Sequence, residues 1–314
     1  MTYLFAPMEG ITGRIYRRVH RRHFPGIDRY YAPFYSPTAD GHFNPKSLLD
    51  LQPAENPGVP LVPQLLTNRA EDFIWAAEAL AQRGYREINL NLGCPSGTVF
   101  AKKKGAGFLS MPDALDAFLE QIYASPRLEG LELSVKTRIG VRDPEEFARL
   151  LEIFRQYPIP LLIIHPRLRQ DFYTGPVHPE AFSAARELCP FPLAWNGDLF
   201  SVQDVLDFRE THPETQTLML GRGLIADPGL VTTLLGGAGS TLEALVAFHD
   251  DLCREYQSVL YGSTALCHRM KEIWAYMIHR FADSDKHFKR LCKSKTMSEY
   301  RLAADAIFQE LSLL

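Results

Sequence analysis

Residues 86–92 read Arg-Glu-Ile-Asn-Leu-Asn-Leu, and Gly-Cys-Pro-Ser follows at once at 93–96. The isoleucine and leucines of the run occupy one parity, and its two asparagines, Asn89 and Asn91, occupy the other. Residues of a strand point alternately to its two faces. The run therefore predicts a strand with an apolar side against a helix layer and a polar side toward the interior of a barrel.

Similar short β-prone runs recur along the chain, separated by stretches with helical periodicity. Together with 86–92 they make eight predicted strands, at 3–7, 29–34, 61–66, 131–137, 160–164, 191–195 and 217–221. Apolar residues at i, i+3, i+4 and i+7 mark the intervening helices, as in Phe73, Ala76, Ala77 and Leu80. Strands that alternate with helices over about 235 residues predict an α/β fold, a (β/α)8 TIM barrel.

The last quarter of the chain has a different pattern. After the glycine-rich stretch at 236–239 no further strand is predicted, and the periodicity is helical to the end. We predict a barrel domain over 1–237 and a small all-helical domain over 240–314, packed on the barrel through an apolar face that runs from Met270 to Phe281. The connection at 35–60 is rich in Pro, Gly and Asn and predicts a long loop with little helix.

Composition excludes several classes of protein. The chain has 314 residues, 46% of them hydrophobic and 23% charged, and its net charge of −3 excludes a uniformly cationic, polyanion-binding protein. No apolar run approaches the ~18 residues of a membrane span, and the N-terminus does not resemble a secretory leader. Five cysteines without Cys-x-x-Cys spacing predict neither a disulfide framework nor a zinc site, so we expect a cytoplasmic protein without metal.

Positive charge is concentrated in three places. Five arginines lie within 14–22, three lysines are consecutive at 102–104, and the stretch 269–301 holds nine Lys or Arg against four acids. A solvated helix face explains any one cluster. Three clusters in a near-neutral chain suggest a track for a polyanion, with aromatic residues interleaved in the last.

Polar side chains collect where the predicted strands end. Gln64, Asn91, Lys136, His165 and Asn196 lie at or just after such ends. The C-terminal ends of the strands form the functional face of this fold. These side chains therefore predict a planar polar ligand that is bound by several hydrogen-bond donors and acceptors.

The last two predicted strands end in Asn196-Gly197-Asp198 and Gly221-Arg222-Gly223. Loops at these two places commonly bind phosphate in a TIM barrel, whereas the plain alternative is a pair of tight turns. Cys94 lies in a mouth loop without a histidine nearby in sequence, so a nucleophilic thiolate is not indicated. A protonated thiol there can act as a general acid.

These motifs together resemble the tRNA-dihydrouridine synthase family. The resemblance rests on Ala6-Pro7-Met8-Glu9-Gly10, Gln64, Asn91-x-Gly93-Cys94-Pro95, Lys104-Gly105-Ala106-Gly107, Lys136-Thr137-Arg138-Ile139-Gly140, His165-x-Arg167, Asn196-Gly197-Asp198 and Gly221-Arg222-Gly223. The motifs occur in the family's order, and the helical tail is similar to the family's RNA-recognition domain. One departure is Pro166, where the family usually has glycine, and the stretch 35–60 does not align clearly.

The resemblance implies a TIM-barrel enzyme that binds FMN and reduces particular uridines of tRNA to 5,6-dihydrouridine with NADPH. Hydride would pass from flavin N5 to uracil C6, and Cys94 would donate the proton to C5. By the same resemblance, the cofactor would be bound by Pro7, Met8, Glu9, Gln64, Lys136, His165, Asn196, Gly197, Asp198, Gly221 and Arg222. Asn91 and Arg138 would position the uracil. No membrane and no protein partner is implied.

Two rival interpretations remain at this stage. One is an FMN barrel oxidoreductase that acts on a free small molecule, such as a dihydropyrimidine or dihydroorotate. It would share the phosphate motifs and the lysine at the barrel mouth, but it would not explain the basic tail. An RNA-binding protein with a degenerate barrel would leave Cys94 and Lys136 without a purpose.

Overall fold

The computed structural model describes residues 1–38 and 41–314. Nine strands form one parallel sheet. They are β1 (Thr2–Phe5), β2 (Arg29–Tyr31), β3 (Leu61–Val62), β4 (Gln64–Leu65), β5 (Glu87–Leu92), β6 (Glu132–Arg138), β7 (Leu162–His165), β8 (Leu193–Trp195) and β9 (Thr217–Leu220). Their order is β3-β2-β1-β9-β8-β7-β6-β5-β4, so the two ends of the sheet are neighbours in the chain.

Pro63 separates β3 from β4 and explains why eight predicted strands appear as nine. Proline has no N–H to donate to a ladder, but the carbonyl of Pro63 accepts the N–H of Asn89 at 2.9 Å. Leu61 and Val62 pair with β2, whereas Gln64 and Leu65 pair with β5. One interrupted strand thus closes the sheet, and the predicted TIM-barrel fold class is confirmed.

Helices cover the barrel and continue beyond it. Their bounds are α1 (Arg14–His23), α2 (Pro45–Asp50), α3 (Ala70–Ala81), α4 (Gly97–Ala101), α5 (Pro112–Tyr123), α6 (Glu146–Phe154), α7 (Pro179–Leu188), α8 (Val202–Thr211), α9 (Arg222–Ala226), α10 (Leu230–Leu234), α11 (Leu242–Gln257), α12 (Ser263–Met277), α13 (Asp285–Lys293) and α14 (Met297–Glu310). Short 3-10 helices lie at Pro53–Glu55, Gly105–Ser110, Pro126–Leu128, Arg169–Asp171 and Ile278–Arg280. Among the described residues, none of these helices is both long and apolar enough to cross a bilayer.

The connection at 35–60 contains the six-residue α2 and one 3-10 turn, so the prediction of little helix agrees with its described part. Residues 39 and 40 of that connection lie outside the described ranges. Arg17, which is fully buried, donates to the carboxylate and carbonyl of Asp50 and to Asn56 Oδ1. This buried guanidinium fixes the long connection against α1.

The barrel has two separate apolar clusters. The larger one joins the outward sides of the strands to the helices and runs on into the C-terminal tail. The smaller one fills part of the barrel interior and consists of Leu4, Ala6, Tyr31, Val62, Leu161, Ile163, Ala194 and Met219. On the other side, β5 and β6 contribute buried Glu87, Asn89 and Ser134. The alternate residues of 86–92 predicted to face the barrel interior are therefore polar and buried there.

The tail after residue 240 is entirely helical up to Glu310, as predicted. The apolar face from Met270 to Phe281 is buried, and the ring of Trp274 lies within 6.0 Å of the rings of Phe281, Phe308 and His249. Much of this face therefore packs inside the tail. Division of the chain into domains 1–237 and 240–314 stays a prediction, since one apolar cluster joins the two parts.

The arginine cluster of α1 attaches the tail to the barrel. Arg18 and Arg22 pair with Glu255 of α11, and Arg22 also pairs with Asp251 at 3.1 Å. Arg14 pairs with Glu55 at 2.9 Å. These side chains are neutralised by carboxylates within the chain, so the prediction that residues 14–22 serve a polyanion track is not supported.

Candidate active site

A cleft opens at the C-terminal ends of the barrel strands. It is lined by every predicted site residue, namely Pro7, Met8, Glu9, Gln64, Asn91, Cys94, Lys136, Arg138, His165, Asn196, Gly197, Asp198, Gly221 and Arg222. These residues come from the ends of seven different strands or the loops that follow them. Parallel pairing brings them together, because it places all carboxyl ends of the strands on one rim.

Asn91 shapes the loop that carries Cys94. Its Oδ1 accepts the N–H groups of Gly93 at 3.0 Å and of Cys94 at 2.9 Å, and its Nδ2 donates to Gln64 Oε1 at 2.7 Å. The carbonyl of Cys94 accepts the N–H of Ala106 at 3.1 Å, which closes the Lys104–Gly107 motif over the loop. The side chain of Cys94 is therefore held in the cleft by backbone contacts on both sides.

The thiol of Cys94 is protonated at neutral pH. Burial raises its pKa, against the lowering effects of the Ser96 backbone and of Arg138. Cys94 is partly exposed and lines the cleft. A thiol in this state is suited to donating a proton and poorly suited to attack as a thiolate.

Arg138 occupies a different place from the one expected of a substrate-binding residue. It is 1% exposed, and it donates to the carbonyls of Gly93 at 2.9 Å, of Leu168 at 2.8 Å and of Phe172. Its guanidinium therefore joins the Cys94 loop to the loop after β7. This geometry favours a positioning role for Arg138 over direct contact with a ligand.

The pKa values of Lys136 and His165 are both lowered by their surroundings. Burial and the neighbouring charge of Arg138 lower the pKa of Lys136 to about 7. Burial, together with Arg138 and Lys136, holds the pKa of His165 well below its ordinary value. The imidazole is therefore neutral at physiological pH, whereas the amine of Lys136 takes up a proton readily when an anion binds beside it.

Asp198 connects the loops that follow β7, β8 and β9. Arg167 donates two hydrogen bonds to its carboxylate, and Arg222 donates a third at 2.6 Å. Burial raises the pKa of Asp198, but these two arginines outweigh it, and the pKa is lowered overall. The carboxylate of Asp198 thus holds the guanidinium groups of Arg167 and Arg222 in place. An ionised carboxylate only accepts hydrogen bonds, so it has no donor for a phosphate.

The role of Arg167 beside Pro166 is defined by this arrangement. The chain turns tightly at the proline, with the Arg167 N–H donating to the carbonyl of His165 at 2.7 Å. The side chain of Arg167 is 3% exposed and reaches Asp198 as well as the carbonyl of Gly175. The departure from the family pattern at Pro166 therefore leaves Arg167 as a buried link between two loops.

The turns after β8 and β9 offer free donors. Within residues 1–38 and 41–314, no hydrogen bond is formed by the backbone N–H groups of Gly197, Asp198, Arg222 and Gly223. All four residues line the cleft. A Cβ on Gly223 would lie 2.1 Å from the carbonyl oxygen of Leu199, so glycine is required for the two turns to approach. Unpaired N–H groups in the two turns, beside Arg222, match the chemistry of a phosphate site.

Sequence reasoning missed Tyr173. Its ring lies 5.3 Å from the Arg138 guanidinium and 5.5 Å from that of Arg222, and the residue is 47% exposed at the rim of the cleft. Its carbonyl accepts from Arg222 at 3.0 Å. Tyr173 lies in a loop without periodicity, and the only signal was an aromatic pair, Phe172-Tyr173, soon after a predicted strand end.

The sequence was compared with known protein families. The model of the dihydrouridine synthase family (Dus) matches residues 4–312, almost the whole chain. The chain belongs to the dihydrouridine synthase family.

Two curated proteins show how similar this dihydrouridine synthase family member is to its relatives in sequence. A "Probable tRNA-dihydrouridine synthase 1" from Synechocystis is 28% identical over 233 residues, 73% of this chain and 62% of that protein. A "Probable tRNA-dihydrouridine synthase" from Rhodobacter capsulatus is 27% identical over 266 residues, 82% of this chain and 79% of that protein. The match to the Synechocystis protein therefore spans less than two thirds of its length.

Solved structures match the fold of this family member. A variant of NCR from Zymomonas mobilis superposes with a TM-score of 0.52 at 13% identity, covering 77% of this chain and 89% of that one. Morphinone reductase in complex with tetrahydroNAD gives a TM-score of 0.52 at 11% identity, with 76% and 87% covered. At such low identity the likeness concerns the barrel fold alone.

The raised pKa of Cys94 leads to a prediction for its alkylation. Because the thiolate is the reacting form, the rate with iodoacetamide should be low at pH 7 and should still be rising at pH 9. Site-resolved mass spectrometry over pH 6–10 separates Cys94 from the exposed Cys292, which serves as an internal reference. A Cys94 rate that reaches its plateau below pH 8 would contradict the protonated state.

Proposed function

We propose that this chain is an FMN-dependent tRNA-dihydrouridine synthase that uses NADPH as reductant. The observation that carries the proposal is the convergence of all fourteen predicted site residues on one cleft, in a chain that matches the dihydrouridine synthase family model over residues 4–312. Relatives named tRNA-dihydrouridine synthases support tRNA as the substrate.

The residues of the cleft fit FMN. The free N–H groups of Gly197, Asp198, Arg222 and Gly223 would bind its phosphate, with the guanidinium of Arg222 beside them. Pro7, Met8 and Glu9 line the cleft after β1 and would border the flavin ring. Gln64, Asn196 and the neutral His165 provide hydrogen-bonding groups for the ring and the ribityl chain.

Lys136 would provide charge compensation for the cofactor. Its amine is the one lysine among the cleft-lining residues, and its pKa of about 7 lets it become an ammonium ion when negative charge is placed next to it. When bound, FMN would supply the hydride that uracil C6 accepts. NADPH provides the electron pair for each turnover.

Cys94 would complete the reduction. Saturating the C5–C6 bond of uracil requires a hydride at C6 and a proton at C5, and the protonated thiol of Cys94 is the acid that lines the cleft next to the loops fixed by Asn91 and Arg138. The resulting thiolate would regain a proton from solvent. Tyr173 at the rim offers an aromatic face for a base that has left its stack.

The surface that would bind tRNA backbone lies on the tail. Lys286, Lys289, Arg290, Lys293 and Lys295 are exposed, and none of them forms an ion pair among the described residues. Because four of the five arginines of α1 are paired with carboxylates, all but Arg21, α13 and the turn after it hold the strongest free positive charge of the three predicted clusters. Phosphate neutralisation there would offset the cost of extruding the uridine.

The central test is dihydrouridine formation by the purified chain. With FMN, NADPH and tRNA from cells lacking this protein, we expect one or more uridines to gain two hydrogens, measured by mass spectrometry of nuclease fragments. Cys94→Ala should retain FMN absorbance and tRNA affinity but reduce the rate roughly 10²–10⁴-fold, because a positioned acid contributes about that much. Cys189→Ala is the control, since Cys189 follows α7 and does not line the cleft.

The outcomes of this test separate the alternatives. Near-wild-type turnover by Cys94→Ala would remove the thiol from the proposed role. FMN-dependent reduction of a free pyrimidine, with none in tRNA, would favour a small-molecule oxidoreductase. Protein that binds tRNA but never FMN would favour a non-catalytic RNA-binding protein.

The pKa of Lys136 predicts how FMN affinity changes with pH. An anionic cofactor favours the ammonium form, so above pH 7 binding must be accompanied by proton uptake, and the dissociation constant should rise by up to about tenfold per pH unit. Fluorescence titration from pH 6 to 9 measures this rise. Lys136→Met should bind FMN more weakly at pH 6 and with little pH dependence, whereas Lys102→Met, an exposed lysine, should behave as wild type. An unchanged pH profile in Lys136→Met would contradict the assignment.

Charge reversal on α13 tests the tRNA surface. Lys289→Glu with Lys293→Glu should raise the tRNA dissociation constant roughly tenfold or more and reduce the slope of log affinity against log salt by about 2, since each lost phosphate contact removes about one unit. FMN binding should not change. Arg149→Glu with Arg155→Glu, exposed at α6, provides the control, and equal effects of the two pairs would contradict a localised surface.

A further inference from the structure

A line of buried polar side chains crosses the barrel interior from Glu87, near the start of β5, to the loop that carries Cys94. Its members are Glu87, Ser134, Asn89, Gln64 and Asn91, each at most 8% exposed. The links measure 2.6 Å from Ser134 Oγ to Glu87 Oε1, 2.9 Å from Asn89 Nδ2 to Ser134 Oγ, 2.7 Å from Gln64 Nε2 to Asn89 Oδ1, and 2.7 Å from Asn91 Nδ2 to Gln64 Oε1.

Every hydrogen bond in this line points the same way. Asn91 donates to Gln64, Gln64 to Asn89, Asn89 to Ser134, and Ser134 to Glu87. An amide has one donor end and one acceptor end, and a hydroxyl can turn either way, whereas a carboxylate only accepts. The carboxylate at the lower end therefore imposes one direction on all the groups above it.

The carboxylate of Glu87 is surrounded by hydrogen-bond donors. Arg29 pairs with Glu87 Oε2 at 2.9 Å, and the hydroxyl of Tyr31 donates to Oε1 at 3.0 Å. Together with Ser134, these partners satisfy a buried charge that would otherwise be costly. Nothing in the proposed chemistry requires an acid at this depth of the barrel.

The direction of the line matters at its upper end. Asn91 points Oδ1 at the N–H groups of Gly93 and Cys94 and Nδ2 at Gln64, so the direction imposed by the carboxylate is the one that the loop backbone needs. A reversed line would turn the Asn91 amide and place N–H groups against N–H groups. The N–H groups of Gly93 and Cys94 would then both lose their shared acceptor, and Gln64 would present a different edge to the cleft.

We propose that Glu87 is a positioning residue whose negative charge sets the direction of this line and thereby holds the Cys94 loop and the Gln64 amide in their working orientation. The effect on catalysis rests on the proposed function, since it acts through the residues assigned there. The effect on the loop backbone is independent of the proposed function. The effect on catalysis and the effect on the backbone are measured separately.

Glu87→Gln tests the proposal, because glutamine has the same shape but can donate as well as accept. Amide hydrogen exchange of Gly93 and Cys94 should accelerate about tenfold or more, and iodoacetamide alkylation of Cys94 should change at least threefold. In dihydrouridine formation, kcat should fall roughly ten- to hundredfold, with KM for tRNA within about twofold, as expected of a misplaced acid. Glu87→Asp, which retains the charge, should recover part of the loss.

Two further variants keep the test decisive. Glu132→Gln is the matched control, since Glu132 lies opposite Glu87 in the register of β5 and β6 but is exposed, and it should leave all readouts unchanged. Ser134→Ala interrupts the line of hydrogen bonds while leaving Glu87 in place. It should therefore reproduce the changes in hydrogen exchange and alkylation. If Glu87→Gln does not fold, Ser134→Ala provides the test.

Unaltered exchange and alkylation at residues 93 and 94 in folded Glu87→Gln, or in Ser134→Ala where the glutamine variant does not fold, would overturn the inference. If the wild type forms no dihydrouridine, the proposed function fails, while exchange and alkylation still report on the loop. If the wild type is active and Glu87→Gln is equally active with an unchanged loop, only this inference fails.

Discussion

Parallel pairing in a fixed register is the constraint on which the site depends. Asn91 lies opposite Lys136 and Arg138 opposite His165, so each polar residue of one strand has its counterpart on the next at the same height in the barrel. A slip of one residue would turn every one of these side chains from the interior to the helix layer. Closure at Pro63, where the chain changes partner from β2 to β5, holds the register around the whole barrel.

Buried arginines connect the loops above this rim. Arg138 joins the Cys94 loop to the loop after β7, and Arg167 joins the latter to the turn after β8 through Asp198. A guanidinium offers five donors in a planar fork, so one side chain can satisfy several carbonyls or a carboxylate at once. The loops at the mouth of the barrel are thus connected to one another by hydrogen bonds from Arg138 and Arg167. The same two arginines contribute positive charge to the mouth.

Protonation follows from the same burial. The clustered positive charges and the low exposure hold His165 neutral and bring the pKa of Lys136 to about 7, whereas the Cys94 thiol stays protonated. In the proposed function, a site of this kind would accept an anionic ligand with proton uptake and retain an acid for the reaction. The line from Glu87 adds a second level of control, because it orients neutral amides with a charge placed below them in the barrel.

The sequence alone determined the fold class, the approximate positions of eight strands and the polar groups at the strand ends, because strand parity and strand-end motifs are local properties of the chain. The helical tail was predictable for the same reason. The other predicted cleft residues came from the resemblance to the family. Only the tertiary structure decided what several of these residues do. Arg138 and the arginines of α1 look like ligand-binding cations in sequence, yet Arg138 is committed to backbone carbonyls. Four of the five arginines of α1, all but Arg21, pair with Asp50, Glu55, Asp251 or Glu255. Tyr173 and the line of hydrogen bonds from Glu87 were equally invisible, since a hydrogen-bond partner far away in the chain leaves no periodic signal in sequence.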